Sequence, residues 1–346
     1  MCRQPLPPGG TRERIVTTRV WVAVDAGGSS TRCAVVTADG SCIGYARAGG
    51  ANPISRGMPT AIAVIRQCIA AALEDADRPA STVHGVVVAM AGLGLATPLQ
   101  QSVAESLRSD GIIADVHVES DAVAAFEAGT HRTSGYVLIS GTGAAALRIE
   151  EGGVAATADG LGWLLGDVGS GFWIGQRVAT AALEELDGRG PTTALTQKVL
   201  DHFGIDEDRR RQRDESRRLV SVTDLLVRVY GGPAISLAEL ARFAFDDVDD
   251  EASRGILAEA AAGLATTLSA VMAPSLPGPV VVTGGVLAGQ PRLRRGVVDA
   301  MALRGHEVEL ERVPDGLAGA VTIGLRRAGV VIDASRHAHI RESLRR

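Results

Sequence analysis

Aromatic side chains make up only 3% of this 346-residue chain, so Ala, Val, Leu and Ile have to build most of its core. Lysine is nearly missing, with Lys198 the single example. A P-loop needs a lysine directly after its glycines, and Lys198 lies in a helical pattern, so that nucleotide scheme is excluded. Four cysteines, Cys2, Cys33, Cys42 and Cys68, fall in the first fifth of the chain without a Cys-x-x-Cys pair. They support neither a zinc site nor an iron–sulfur cluster, and a reduced, cytoplasmic setting fits best. Positive charge is not in excess: the formal net charge is −5, which argues against nucleic acid as a partner. The basic run from Arg209 to Arg213 is soon followed by acidic residues and reads as a solvated helix or loop. No apolar run is long enough to span a bilayer. The best candidate, Gly255–Ala273, carries Glu259 and several Ser and Thr and reads as a buried helix. The N-terminal stretch is rich in Pro, Gly and Arg and has no apolar h-region. Residues 1–18 are expected to be a disordered tail rather than a signal peptide.

Glycine, by contrast, is abundant at 42 residues, as expected where backbone turns tightly or approaches a ligand closely. The length suggests two domains. Val20–Asp25 is an apolar, Val-rich run ending in Gly27-Gly28-Ser29-Ser30, and Thr31–Thr37 is a second β-like run. This is strand, glycine loop, strand. Helical periodicity follows over Ala61–Ala76, then a buried strand at Val83–Met90, a helix near Pro98–Arg108 and a strand near Ala114–Val118. The opening unit then recurs: Tyr136–Ser140, Gly141-Thr142-Gly143, Ala144–Ile149. Two copies of one unit predict two similarly built α/β domains facing each other. Further on the pattern is mainly helical, until Pro279–Thr283 gives a strand ending in Gly284-Gly285. A helix near Arg292–Leu303, a strand near Val308–Val313 and a helix from Leu317 follow. Domain boundaries are expected at 19–133 and 134–332, with the last helix able to pack back on the first domain. Residues 333–346 read as a polar tail whose His337 and His339 are solvated.

Each glycine turn after a strand is a weak signal alone. Three together are stronger, because backbone N–H groups in such loops can cradle phosphate oxygens. A dinucleotide fingerprint runs from strand to helix, whereas the first loop here leads into a strand. Hairpin loops on two facing domains, with a nucleotide in the cleft between them, remain.

These blocks resemble the sugar-kinase, Hsp70 and actin superfamily, and within it the N-acetylglucosamine kinase and BadF/BadG-type ATPase family. Asp25-Ala26-Gly27-Gly28-Ser29-Ser30-Thr31 is similar to that family's first phosphate motif, and Ile139-Ser140-Gly141-Thr142-Gly143 to its second. Gly162–Gly171 resembles its sugar-site signature, and Val281-Val282-Thr283-Gly284-Gly285 its adenosine motif. The similarity runs from about Val20 to Ala328. It implies two ribonuclease-H-like, actin-like ATPase domains with a nucleotide and sugar cleft between them.

The resemblance also implies roles. Asp25 would hold Mg²⁺ through water, as suits a hard cation. Gly27, Gly28, Ser29, Ser30, Thr31, Gly141, Thr142, Gly143, Gly284 and Gly285 would bind ATP. Asp121 would be the catalytic base and also contact the sugar, although Ser120-Asp121 before an Ala-rich run equally suits a helix N-terminus. Asn52, Gly160, Leu161, Asp167 and Gly171 would line the sugar pocket. A turn role for Asn52 and a backbone N–H partner for Asp167 remain open. Trp163 and Trp173 read as core or pocket wall. Two positions depart from the family pattern: Ala144 stands where Ser is frequent, and Val168 replaces the Glu of Gly-Asp-Glu-Gly-Ser. The implied activity is transfer of the ATP γ-phosphate to the 6-hydroxyl of N-acetylglucosamine or glucosamine. Alternatives are a BadF-type ATPase activator and a non-catalytic sugar sensor. The partner is a small amino sugar, not nucleic acid or membrane, and the oligomeric state is open, a homodimer being one option.

Overall fold

A computed structural model describes residues 19–90, 96–210, 212–246 and 249–345. The expected N-terminal tail over 1–18, with Cys2, lies outside the described residues. β1 (Val20–Ala26) is buried along its whole length, which is why its sequence is a continuous apolar run rather than an alternating one. β2 (Ser30–Val36) and β3 (Cys42–Gly49) follow as antiparallel neighbours. Helices α1 (Pro53–Arg56) and α2 (Met58–Asp75) lead to β4 (Val83–Met90), which pairs parallel with β1. Helix α3 (Ala96–Ser109) returns the chain to β5 (Asp115–Ser120), parallel to β4, and α4 (Asp121–Gly129) starts where β5 ends.

The second half repeats this plan. β6 (Gly135–Ser140), β7 (Ala144–Glu150) and β8 (Gly153–Asp159) form an antiparallel meander. Helices α5 (Gly171–Asp187), α6 (Ala194–His202), α7 (Val220–Gly231), α8 (Phe243–Asp246) and α9 (Glu251–Val271) intervene. β9 (Val280–Thr283) then pairs parallel with β6. α10 (Pro291–Ala302), β10 (Leu310–Arg312), α11 (Leu317–Arg327) and α12 (Ala334–Ser343) complete the chain. The sheet orders are β3-β2-β1-β4-β5 and β10-β9-β6-β7-β8. Written by position within each half, both are 3-2-1-4-5 with one antiparallel strand, the repetition expected from the doubled unit and the ribonuclease-H-like arrangement that the resemblance implies.

One face of the first sheet packs Val20, Val22, Val24, Cys33 and Val35 beneath Ile65 and Ile69 of α2. Its other face, with Trp21, Ala23, Ala34 and Val36, joins a core that also holds Val137, Leu147 and Val281 of the second sheet. Helices α4 and α11 fill the space between, so α11 packs on the first sheet although it follows the second in sequence. Their crossing is close: a Cβ on Gly319 would lie 1.7 Å from the Ala124 carbonyl oxygen.

Three segments differ from the sequence reading. Cys42–Gly49 and Gly153–Asp159 are strands, and the expected polar tail contains α12. Within α12, Ile340 is buried against the Gly40 turn. His337, expected in solvent, is only 5% exposed, and its Nε2 lies 2.9 Å from the Glu127 carbonyl oxygen. Two buried residues one turn apart, His337 and Ile340, dock this mostly polar helix, helped by Cys42 N–H donating to Ser343 Oγ (2.6 Å) and by His339 Nε2 3.0 Å from Ser41 Oγ. Among the described residues no helix is long and apolar enough to cross a membrane.

Candidate functional site

The site grows from the ends of β1 and β6, where each strand runs into a glycine loop. At the first, Gly27 donates its N–H to the Ser30 carbonyl (3.0 Å), closing a tight turn. Ala51 N–H donates to the Gly27 carbonyl (3.0 Å), and Gly50 lies so close that a Cβ there would be 1.9 Å from Gly28 O. Asn52, at the entry to α1, is thereby set beside the first loop. A Cβ on Gly28 would meet nothing within 4 Å, so the loop tip opens to free space.

Beneath this loop lies a group of charges. Asp25 is 8% exposed and directly opposite Arg32 on β2, with 3.3 Å between Oδ2 and Arg32 Nη1. Arg32 Nε also lies 3.6 Å from Asp315 Oδ2. Burial pushes the Asp25 carboxyl up to about 6, and the charges of Asp315 and Asp121 add to this. Arg32 and a hydrogen bond from the Gly316 backbone oppose it. Asp121 opens α4 just after its N-cap, Ser120, whose Oγ accepts from Ala122 N–H (3.2 Å). Burial raises the Asp121 carboxyl above its ordinary value, against the pull of the Ala122 N–H. Both the helix-start reading and a position beside Asp25 hold for this residue.

At the second glycine loop, Gly141 N–H donates to Gly143 O (2.9 Å). Gly171 N–H donates to Gly141 O (2.7 Å) and Phe172 N–H to Thr142 O (3.3 Å), which ties the start of α5 to the loop. Val286 and Leu287 N–H groups both donate to Ser140 O, at 3.0 and 2.9 Å. Gly284, at φ +93°, leaves no room for a side chain: a Cβ would sit 2.4 Å from Ser140. Gly141-Thr142-Gly143, Gly284-Gly285 and Gly171 therefore form one cluster.

Asp167 belongs to it. Burial, then the nearby Asp159 charge, raise its carboxyl above its ordinary value, and the backbone N–H groups of Ala144 and Gly162 pull the other way. Backbone N–H groups thus lie near it, and a carboxylate with two oxygens has acceptor capacity beyond them. A Cβ on Gly143 would be 2.9 Å from Asp167 Oδ2, so side chain and phosphate-type loop touch. Gly160, at φ +70°, donates its N–H to Ala144 O (2.9 Å). Leu161 is 66% exposed, and Trp163 packs against Phe172 in a tilted arrangement with ring centroids 5.1 Å apart.

Thr31 requires a correction. It is fully buried, with Oγ1 lacking a hydrogen-bond partner among the described residues. Side chains alternate along a strand. Cys33 and Val35 face α2, so Thr31 does too, whereas Ser30 and Arg32 face the other way. The sequence reading also passed over Arg32, Asp159, Asp315 and Gly316. Arg32 was legible from the same alternation, seven residues after Asp25. Asp315-Gly316, ahead of an apolar helix, carried only a turn signal. Val168, at the family's Glu position, lies against α9: a Cβ on Gly263 would be 2.3 Å from its Cγ1.

Comparison with known proteins gives relatives of matching architecture. The chain is 28% identical over 276 residues to an N-acetyl-D-glucosamine kinase of Dictyostelium discoideum, covering 74% of this chain and 80% of that protein. It is 28% identical over 255 residues to an N-acetylmuramic acid/N-acetylglucosamine kinase of Clostridium acetobutylicum, covering 72% and 78%. A solved structure of a candidate N-acetylglucosamine kinase from Porphyromonas gingivalis superposes with a TM-score of 0.68 at 20% identity, over 89% of this chain and 99% of that one. A model of the BadF/BadG/BcrA/BcrD ATPase family matches residues 22–324. With the doubled 3-2-1-4-5 sheet and the two glycine-loop clusters, that match places the chain in the BadF/BadG/BcrA/BcrD ATPase family.

Proposed function

We propose that the protein is an ATP-dependent amino-sugar kinase that phosphorylates the 6-hydroxyl of N-acetylglucosamine or glucosamine. The observation that carries this reading is Asp121: a carboxyl raised by burial, at the start of α4, beside the Asp25–Arg32 pair. In the reaction O6 forms a bond to the γ-phosphorus, the bond from that phosphorus to the β-bridging oxygen breaks, and the O6 proton passes to Asp121. ADP departs. Positioning and charge stabilisation supply most catalysis in phosphoryl transfer, so one carboxylate base suffices. The names carried by the relatives support the substrate class.

The donor set fits Mg²⁺. Asp25 supplies hard oxygen at a strand end; Arg32 pairs with both Asp25 and Asp315, and the charges of Asp315 and Asp121 act on Asp25. Burial raises Asp25 most and the neighbouring negative charges add to it; a divalent ion held by Asp25 through water would offset that charge. Mg²⁺ would supply charge neutralisation for the phosphates. Gly27, Gly28, Ser29, Ser30, Gly141, Thr142, Gly143, Gly284 and Gly285 would hold ATP through backbone N–H groups and hydroxyls. Asn52, Gly160, Leu161, Asp167 and Gly171 would contact the sugar.

Cysteine placement favours the kinase over the ATPase activator. Among the described residues, Cys33 and Cys68 are buried in the core under α2 and only Cys42, on β3, is half-buried, one thiol where an iron–sulfur cluster takes several. The test is ADP release with ATP and Mg²⁺ in the presence of glucosamine, N-acetylglucosamine, N-acetylmannosamine, glucose or no sugar. Turnover that appears only with an amino sugar supports the proposal. Equal release with and without every sugar would move the activator reading to the front, and sugar binding without turnover would favour a sensor.

A further inference from the structure

Asp159 ends β8 in the left-handed region, at φ +61°. Its two carboxylate oxygens accept from two successive backbone groups: Asp167 N–H at 2.6 Å from Oδ1, and Val168 N–H at 3.0 Å from Oδ2. Successive N–H groups next to a left-handed residue form an anion-binding concavity. Asp167 is that residue, at φ +59°. Asp tolerates this conformation better than most non-glycine residues, and here the two N–H bonds to Asp159 hold it in place. The space for this carboxylate is visible in the sequence as Gly166: a Cβ there would lie 2.2 Å from Asp159 Oδ1. The family's Glu is absent from position 168, where Val168 instead packs on Gly263. Its own N–H is held by the carboxylate of Asp159.

We infer that Asp159 is a positioning residue for sugar recognition, clamping the Asp167-Val168 turn so that the Asp167 carboxylate is presented to the substrate. This rests on the amino-sugar kinase reading. The clamp acts on the second-sheet cluster only. The charge group of Asp25, Asp121 and Asp315 sits on other elements, so loss of the clamp should weaken sugar capture without removing the base.

Two substitutions remove the clamp by different routes. Asp159→Gly deletes the carboxylate while tolerating the positive φ, and Gly166→Ala displaces it sterically. Asp159→Asn keeps one oxygen acceptor and is the conservative control. In steady-state kinetics, both disruptive variants are expected to raise the KM for the amino sugar about ten- to a hundred-fold, as for a binding group misplaced by about 1 Å. Because the Asp167 carboxyl also touches the Gly143 loop, the KM for ATP should rise too, but several-fold less than that for the sugar; the thermal midpoint should stay close to wild type, and Asp159→Asn should recover most of the loss. An unchanged sugar KM in Asp159→Gly would overturn the role. So would a parallel shift of both KM values with a fall in thermal midpoint, which marks a structural residue. A wild-type protein without sugar-dependent turnover overturns the kinase reading itself, a result distinct from either.

Discussion

Asp25 and Arg32 sit directly opposite each other on β1 and β2, 3.3 Å apart, yet the ion pair leaves the Asp25 carboxyl raised to about 6. One guanidinium is therefore outweighed by burial and by the charges of Asp315 and Asp121. A raised carboxyl favours the folded state while protonated. Its contribution is full below the ordinary value of 3.8 and is lost as pH rises through about 6. In the absence of nucleotide and cation, stability should fall across that window. Replacing Asp25 by Asn removes the penalty, which at about 1.4 kcal/mol per pKa unit is of order 1–3 kcal/mol. The expected outcome is a thermal midpoint at pH 7.5 equal to or above wild type, a flatter pH profile between 4 and 7, and no kinase activity. A steep fall in midpoint at pH 7.5 would show that the carboxylate is a net stabiliser and contradict the charge argument.

Asp121→Asn keeps the helix start, because Ser120 remains as cap, but removes the proton acceptor. A loss of about 10²- to 10⁴-fold in kcat is expected, the usual range for general base catalysis, with sugar KM changed far less. The wild-type acid limb should lie above the ordinary carboxylate range, because burial raises this group. Rates measured from pH 4 to 8 check both points. A variant with wild-type kcat would remove Asp121 from the reaction.

Much of this site was legible from the chain itself. The two strand–glycine–strand units announced the doubled sheet, because buried central strands have to be continuous apolar runs. What stayed hidden was whatever depends on partners distant in sequence. Cys42–Gly49 and Gly153–Asp159 are rich in Gly and Ala, with little β propensity, and become strands through pairing with β2 and β7. The role of Asp315-Gly316 appears only when α11 lands on the first sheet, where Gly316 binds Asp25. Thr31 shows the opposite error: its place in a motif suggested a ligand, and strand alternation turned it into the core. For Asp159 nothing in the local sequence indicated that its partners would be eight and nine residues ahead.

The α4–α11 crossing supplies a steric prediction. Adding a methyl group at Gly319 would bring it 1.7 Å from Ala124 O and 2.8 Å from Ala128 N, both backbone. Neither can move without shifting α4, and Asp121 lies at the head of that helix. Gly319→Ala should cost several kcal/mol, at or beyond the upper end of typical overpacking penalties of about 1–3 kcal/mol. It should lower both the thermal midpoint and kcat. Gly188→Ala is the comparison, since no atom would lie within 4 Å of its Cβ and only the positive φ is strained. A smaller effect at 319 than at 188 would mean the helices separate readily.

The same two helices are joined by Arg326 and Glu127, whose carboxylate is 2% exposed and receives the guanidinium, while Arg326 also donates to His131 O. Burial pushes Glu127 up to about 7 even with Arg326 present. Removing one partner of a buried pair leaves an uncompensated charge, worth about 3–5 kcal/mol. Arg326→Met keeps most of the apolar stem and removes only the cation. At pH 8 the variant can escape that charge by keeping Glu127 protonated, and since the wild-type group titrates at about 7, the charge-dependent part of the loss is bounded at about 1–2 kcal/mol. At pH 5 the neutral acid needs no partner and the loss should be small. Thermal midpoints of wild type and Arg326→Met at the two pH values read this directly. A penalty of equal size at pH 5 and pH 8 would assign the role of Arg326 to packing and to the His131 carbonyl rather than to the charge of Glu127.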